Sequence, residues 1–177
     1  MTRRSTILTA YAEWTAMSAM RSKAPIKAKT DIYCLLRGST FLPLLSPPDR
    51  RIEQHEFDEW HKQAVDDMIR DDGRLVVGWA AKLLNVYLKT YAYVGDGGRP
   101  GLRCCLHPPI DGGLWRGIRN HFGERKEIIS RTHCVNTIGA IVTYETYQLI
   151  IDGLQLAAQE LGCSLFEVEQ LWEGTVV

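Results

Sequence analysis

Two residues of this chain, Lys82 and Asp111, could together carry covalent and acid–base chemistry. Lys82 lies in an apolar helical run between Trp79 and Leu83. A lysine that loses its proton near neutral pH is a nucleophile, and burial or the positive end of a helix favours that loss. A neighbouring aspartate can accept the proton and stabilise a developing cation. We therefore take Lys82 and Asp111 as candidate catalytic residues.

Each of the two residues also fits a purely structural role. Lys82 forms a polar strip with Asn85 and Lys89, as expected where a lysine stem packs on Trp79 and its ammonium group stays in water. Asp111 follows two prolines and precedes two glycines, the position of a carboxylate that caps a helix N-terminus. The sequence alone leaves both alternatives open.

Most of the chain has apolar residues at helical spacing, and strand signals are few. Six helices are predicted, over residues 5–21, 56–70, 75–93, 112–122, 140–161 and 165–172. A short turn at 71–74 joins the second helix to the third, which makes an αα-hairpin and leaves Lys82 about two turns inside the third helix. We predict a compact all-α domain of six to eight helices.

One domain is expected to cover residues 1–177, because the length suits a single core. Its parts are 1–30, a helix followed by a basic arm; 46–122, the hairpin and the helix that Asp111 begins; and 137–177, the C-terminal helices. The first helix is predicted to bury the face that carries Ile7, Tyr11, Trp14 and Met17. The core is predicted to contain Trp14, Trp60 and Trp172.

Composition excludes several classes of protein. The 21 basic and 21 acidic residues cancel, so no global field indicates a nucleic acid or membrane partner. Five cysteines without CxxC spacing argue against a disulfide framework or a zinc site, and we expect no metal and no cofactor. No apolar run approaches the ~20 residues that span a bilayer. With no signal peptide visible, the expected location is cytoplasmic and no membrane partner is expected.

Residues 74–118 resemble part of the helix-hairpin-helix DNA glycosylases, the superfamily of endonuclease III and 8-oxoguanine glycosylase. The stretch VVGWAAK, residues 76–82, is similar to their hairpin pattern L-P-G-V-G-x-K. Gly78 matches the first hairpin glycine and Lys82 the catalytic lysine, while Val77 and Ala80 replace the proline and the second glycine. HPPID, residues 107–111, resembles the approach to the essential aspartate, although 29 positions separate Lys82 from Asp111, more than in many members.

The resemblance implies a protein that binds DNA and excises a modified or damaged base, with abasic-site lyase activity supplied by Lys82. It implies that the backbone of Gly78 and Ala80 grips a phosphate. Further phosphate contacts are expected from Lys89 and from Lys23, Lys27 and Lys29 of the basic arm, whose alternative is a solvated loop. Trp79, Trp115 and Tyr87 are the candidates for stacking on a flipped base. No cysteine set suits an iron–sulfur cluster, so none is expected.

The alternative hypothesis is a non-catalytic helical module that binds a protein partner, for example in phage–host conflict. The two hypotheses differ in one geometric expectation. A glycosylase requires Lys82 and Asp111 to face each other at an open cleft, whereas an interaction module does not.

Overall fold

The computed structural model describes residues 3–20, 23–38, 41–45 and 50–174, and within these ranges the chain forms nine α-helices and no strand. The predicted all-α class is confirmed. The helix count exceeds the predicted six to eight because two helices, Leu42–Leu45 and Leu102–Cys105, are only four residues long. Residues 21–22 and 46–49, where the first predicted helix ends and the second predicted segment begins, lie outside the described residues.

The helices follow one another with short connections. They are α1 (Arg3–Ala19), α2 (Lys29–Gly38), α3 (Leu42–Leu45), α4 (Gln54–Asp71), α5 (Val77–Leu88), α6 (Leu102–Cys105), α7 (Gly112–Phe122), α8 (Lys126–Thr132) and α9 (Tyr144–Leu161). A π-helix, Lys89–Val94, continues α5, and 3₁₀-helices cover Ile138–Ala140 and Phe166–Leu171. The predicted helix at 112–122 coincides with α7, whereas the one at 165–172 is a 3₁₀-helix.

Helix α5 is the centre of the domain. It is apolar on nearly every side, and eleven of its twelve residues are buried, as expected for a helix with no solvated face. Helices α4 and α5 form the predicted αα-hairpin through residues 72–76, and α1 and α9 also pack on α5. Lys82 and Asn85 are the polar residues that this packing carries into the interior.

Helix α1 packs the opposite way from the prediction. Ala12 and Ala16 are fully buried, while Ile7 is 71% and Trp14 is 50% exposed. The small alanine side chains let α1 approach α5 closely, so the large side chains at the predicted spacing turn outward, Tyr11 among them. The predicted burial of Ile7, Tyr11 and Trp14 is therefore wrong, whereas Met17, on the same face, is half-buried against the core.

The C-terminal segment lies across the start of α7. A Cβ atom at Gly117 would stand 1.7 Å from the carbonyl oxygen of Leu171, so only glycine permits this approach. The backbone N–H of Glu173 also donates to the carbonyl of Gly113, at 3.2 Å. This approach brings Trp172 to the N-terminus of α7, where it is 47% exposed and not in the predicted core. Trp60, in contrast, is half-buried against Phe57.

No helix among the described residues is both long enough and apolar enough to cross a membrane.

Candidate active site

Lys82 lies in the second turn of α5, deep in the protein. Its side chain is 10% exposed, and its Nζ lies 5.7 Å from the centre of the Trp79 ring and 3.6 Å from Oδ2 of Asp111. The alternative of a solvated ammonium group is therefore wrong. The structure brings together the two residues that the sequence singled out at 29 positions apart.

Asp111 divides its two carboxylate oxygens between two tasks. Oδ1 accepts hydrogen bonds from the backbone N–H groups of Gly113 and Leu114, at 2.9 and 3.1 Å, which confirms the predicted N-cap of α7. The same oxygen accepts a hydrogen bond from Nε1 of Trp172, at 2.9 Å. Oδ2 faces Lys82. Because Oδ1 is fixed by three donors, the orientation of Oδ2 toward the amine is set by the start of the helix.

A second ion pair lies two turns further along the same chain segment. Nζ of Lys89 lies 2.5 Å from Oε1 of Glu169. Burial raises the pKa of Glu169, the hydrogen bond and charge of Lys89 oppose that rise, and the negative charge of Asp111 adds to it. Asp111 and Glu169 therefore interact electrostatically, and the site contains two lysines and two carboxylates.

A cavity of about 620 Å³ adjoins this group of charges. Lys89, Glu169 and Trp172 line it, and the remaining lining residues are mostly apolar or aromatic: Tyr93, Val94, Cys163, Phe166, Glu167 and Gln170. Lys82 and Asp111 face each other but do not line it, so this cavity does not form the open cleft that the glycosylase hypothesis expects at the pair. Trp172 contacts both the cavity and Asp111. The π-helix supplies one wall, consistent with the frequent occurrence of π-helices at functional sites.

The predicted phosphate-binding hairpin is not formed at Gly78 and Ala80. Both residues are buried in the first turn of α5. The N–H of Gly78 donates to the carbonyl of Ile141 at 2.9 Å, and a Cβ atom at Gly78 would stand 2.2 Å from the carbonyl oxygen of Ile138. This backbone is covered by protein and cannot reach DNA, so the assignment of Gly78 and Ala80 to phosphate binding is wrong.

The three candidates for base stacking are also buried. Tyr87 packs against Phe41 and Tyr91 with only 3% of its surface exposed. Trp115 is 8% exposed and donates its indole N–H to the carbonyl of Thr132. Stacking by these two rings is excluded in this conformation. Trp79, also 8% exposed, lies against Lys82 and contacts the amine rather than an open surface.

The remaining predicted DNA contacts differ in their surroundings. Lys23, Lys27 and Lys29 are exposed, and Lys29 begins α2 and lies 5.2 Å from the ring of Tyr33. The solvated alternative and DNA contact both remain compatible with that exposure. Lys89 is neutralised by Glu169, which weakens its predicted role in phosphate binding.

A buried polar network surrounds Asn85, one turn after Lys82. Tyr144, His61, Asn85, Tyr147, His107 and Asp58 are joined in that order by hydrogen bonds of 2.8–3.1 Å. Because the oxygen of Asn85 can only accept, His61 donates from Nε2, and a consistent assignment makes every residue donate toward Asp58. Burial lowers the pKa of His61 well below its usual value, so the histidine is neutral.

Asp58 ends the network at the surface. Burial alone would raise its pKa, but the hydrogen bonds from His107 and Gln54 outweigh that effect and leave the pKa lowered. Asn85 also donates weakly to the carbonyl of Pro108, at 3.4 Å. The network therefore joins α4, α5, α9 and the segment that leads to Asp111. His107 therefore has a structural hydrogen-bonding role in this network.

Sequence reasoning missed several residues of this region. Glu169 and Trp172 touch the charged group from the C-terminal segment, and Trp172 was assigned to the core. Neither contact could be recognised from the sequence, because the pattern of a 3₁₀-helix resembles that of an ordinary short helix. Among the described residues, no three His, Cys, Asp or Glu side chains are grouped as a metal site would require.

No protein-family model, curated protein or solved structure matches this chain.

Proposed function

We propose that this protein is a DNA glycosylase that removes a modified or damaged base and forms a covalent intermediate through Lys82. One observation carries the proposal: a lysine with 10% exposure lies 3.6 Å from a carboxylate oxygen whose partner oxygen is fixed by three donors. A buried lysine–aspartate pair fixed in this way suits nucleophilic catalysis better than it suits stability, since burial of an ion pair brings little net stabilisation.

The proposed reaction uses both residues at each stage. Exclusion of water by bound DNA disfavours the two charges, so Asp111 takes a proton from Lys82. Nζ then attacks C1′, and the glycosidic bond breaks with its electron pair on the base, which takes the proton from Asp111. The substituted amine returns a proton to the carboxylate, its lone pair forms the C=N bond, and O4′ leaves C1′ and is protonated. The product is a Schiff base.

The cavity supports the proposal with a place for the excised base. Its volume of about 620 Å³ is ample for a nucleobase, and Tyr93, Phe166 and Trp172 supply aromatic surface. Trp172 contacts both the cavity and Asp111, so we propose that its side chain moves when the sugar reaches Lys82. Free, unpaired cysteines among the described residues are compatible with a reducing compartment, and a cytoplasmic location is part of the proposal.

The test is borohydride trapping. The purified protein is incubated with oligonucleotides that carry an abasic site or one of a panel of modified bases, and borohydride reduces any Schiff base to a stable adduct. Wild-type protein is expected to be trapped, and Lys82→Ala is expected to abolish the adduct. Lys126→Ala is the matched control, because this lysine is exposed at the start of α8 and lies outside the cavity and the Lys82–Asp111 pair. Equal trapping by wild-type and Lys82→Ala protein would disprove the assignment of the nucleophile.

A second candidate function is a protein-interaction module. The observation that favours it is the outward face of α1, where Ile7 is 71%, Tyr11 53% and Trp14 50% exposed. The rings of Tyr11 and Trp14 stack with their centres 5.7 Å apart, which gives the face a continuous apolar surface. Under this hypothesis, Trp14→Glu abolishes binding of the protein partner and Lys82→Ala does not. Under the glycosylase proposal, Lys82→Ala abolishes borohydride trapping and Trp14→Glu does not.

A further inference from the structure

A second cleft, which we call the basic cleft, opens beside α7. Its volume is about 360 Å³, and it is lined by Gly112, Trp115, Arg116, Arg119, Asn120, His133, Val135 and Asn136. None of these residues is a carboxylate. Four other clefts of the described chain each include at least one Asp or Glu. The lining therefore favours an anionic ligand.

The two arginines of the basic cleft have no carboxylate partner among the described residues. Arg116 donates to the backbone carbonyls of Glu173, at 2.9 Å, and Gly174, at 3.5 Å. Arg119 is exposed and has neither a hydrogen bond nor an ion pair within the described part of the chain. In contrast, the neighbouring Arg125 pairs with Glu160 at 3.1 Å. Two adjacent positive charges on α7 are thus left for a ligand.

The rest of the lining supplies neutral hydrogen-bonding groups. His133 is half-buried, and burial lowers its pKa, so it contributes a neutral ring that contacts the carbonyl of Trp115. Asn136 is exposed at the rim. Asn120 donates to Oε1 of Glu173 at 2.7 Å, so a carboxylate contacts one of the lining residues. Its charge opposes that of the arginines.

The position of the basic cleft relates it to the candidate active site. Gly112 lines the cleft and follows Asp111 directly, and the segment that carries Trp172 and Glu173 contacts both regions. An anion held by Arg116 and Arg119 would lie beside α7, the helix that Asp111 caps. Gly78 and Ala80 are covered by protein and cannot bind phosphate, so Lys23, Lys27 and Lys29 are the remaining phosphate-binding candidates from the sequence.

We propose that the basic cleft binds a backbone phosphodiester of DNA, with Arg116 and Arg119 as its charged contacts. The identity of the ligand as the strand that carries the target nucleotide rests on the proposed function, whereas the affinity for a phosphodiester does not. Guanidinium groups suit this ligand because their donors match two phosphate oxygens at once.

The experiment measures binding of labelled single-stranded and duplex oligonucleotides that contain a tetrahydrofuran abasic analogue, which cannot form a Schiff base. Arg119→Gln is expected to weaken binding about tenfold, as for the loss of one charge-assisted contact, and to reduce the slope of log affinity against log salt by about one. Arg125→Gln, the matched control, is expected to change neither. Glu173→Gln is expected to strengthen binding, because it removes the nearby negative charge and keeps an acceptor for Asn120.

The outcomes separate this proposal from the glycosylase proposal. If oligonucleotide binding depends on Arg119 but borohydride traps no adduct, the phosphate site is supported and the glycosylase proposal is contradicted. If the wild-type protein is trapped but Arg119→Gln has the same affinity and salt slope as the wild type, the phosphate site is contradicted and the glycosylase proposal is supported. Competition by inorganic phosphate as strong as that by a dinucleotide would identify a site for free phosphate and overturn the DNA assignment. Absence of oligonucleotide binding at low salt would also overturn the DNA assignment.

Discussion

Lys82 and Asn85 lie one turn apart on the same buried helix, and the protein treats them in different ways. Asn85 is 1% exposed and is hydrogen-bonded to His61 and Tyr147, both neutral side chains. Lys82 is almost as deeply placed, yet its partner is a charged aspartate with 24% exposure. One residue is sealed inside a satisfied neutral network, and the other lies at the inner end of a charged site.

On the proposed function, this difference separates a structural polar group from a catalytic one. Hydrogen bonds within the network join four parts of the fold, and no buried side-chain polar atom among the described residues lacks a partner. A neutral network of this kind specifies packing without placing charge in the interior. The Lys82–Asp111 pair instead places an ammonium group with only 10% exposure beside a partly exposed carboxylate. We therefore expect changes at Asn85 to affect stability and changes at Asp111 to affect activity.

The largest expected effect is on the rate of base release in Asp111→Asn. Asparagine can cap α7 as well as aspartate does, but it cannot take the proton of Lys82 and pass it to the departing base. On the proposed mechanism, single-turnover base release should fall by about 10²–10³, or roughly 2.7–4 kcal/mol of transition-state stabilisation. The free energy of unfolding should fall by about 1–3 kcal/mol, because the cap is kept but the charge that faces Lys82 is lost. A variant with unchanged base release would reduce Asp111 to a helix cap.

A smaller effect, on stability alone, is expected for Asn85→Leu. The substitution leaves the buried Nε2–H of His61 without an acceptor, and such a group costs about 1–3 kcal/mol. Urea unfolding should therefore show a loss of about 2–3 kcal/mol. Asn136→Leu, at an exposed position, is the control and should stay within about 0.5 kcal/mol of the wild type. If the two variants were equally stable, the network would have no role in stability.

The pH dependence of stability should report His61. Its pKa is lowered in the folded state, so below about pH 6.5 the unfolded chain takes up a proton that the folded chain excludes. Stability is complete above that pH and falls as the pH falls, by at most about 1.4 kcal/mol per pH unit. His133 changes in the same direction, so the informative comparison is the slope of His61→Gln against wild type. An identical slope would show that the network does not resist protonation.

The smallest effect is expected for Trp172→Phe. The change keeps an aromatic side chain but removes the indole N–H that donates to Asp111, one of three donors to that oxygen. The stability loss should be about 0.5–1.5 kcal/mol, the net value of one hydrogen bond. Intrinsic fluorescence during urea unfolding measures it, after correction for the missing tryptophan. A loss as large as that of Asn85→Leu would make Trp172 part of the structural core.

Local sequence patterns predicted much of the fold because apolar periodicity and capping chemistry act over a few residues. Asp111 was predicted as a helix cap and is one, and Gly162 ends α9 in the left-handed conformation that a C-terminal glycine provides. The face of α1 was predicted wrongly, since amphipathic spacing shows that a helix has two sides but does not show which side a neighbour covers. Here the alanines of α1 permit the closer approach.

The candidate site was predictable only in part. Chemistry singled out Lys82 and Asp111, and the fold brings them within 3.6 Å. The contacts from Glu169 and Trp172 depend on how the C-terminal segment packs on Gly117, which no local pattern encodes. The arginines of the basic cleft were missed for a similar reason. Arg116 and Arg119 lie three residues apart on α7, and only tertiary structure shows that no described carboxylate neutralises them.

The direction of the hydrogen bonds in the buried network links the residues at its two ends. Each member donates toward Asp58, and an ionised carboxylate can only accept. Rotation of the Asn85 amide by half a turn would oppose its NH₂ group to the N–H of His61, so the five bonds must keep their order together. The ionisation of a half-exposed carboxylate at one end thus fixes the orientation of an amide deep in the core. Protonation of Asp58 at the surface is therefore coupled to the orientation of Asn85, one turn from Lys82.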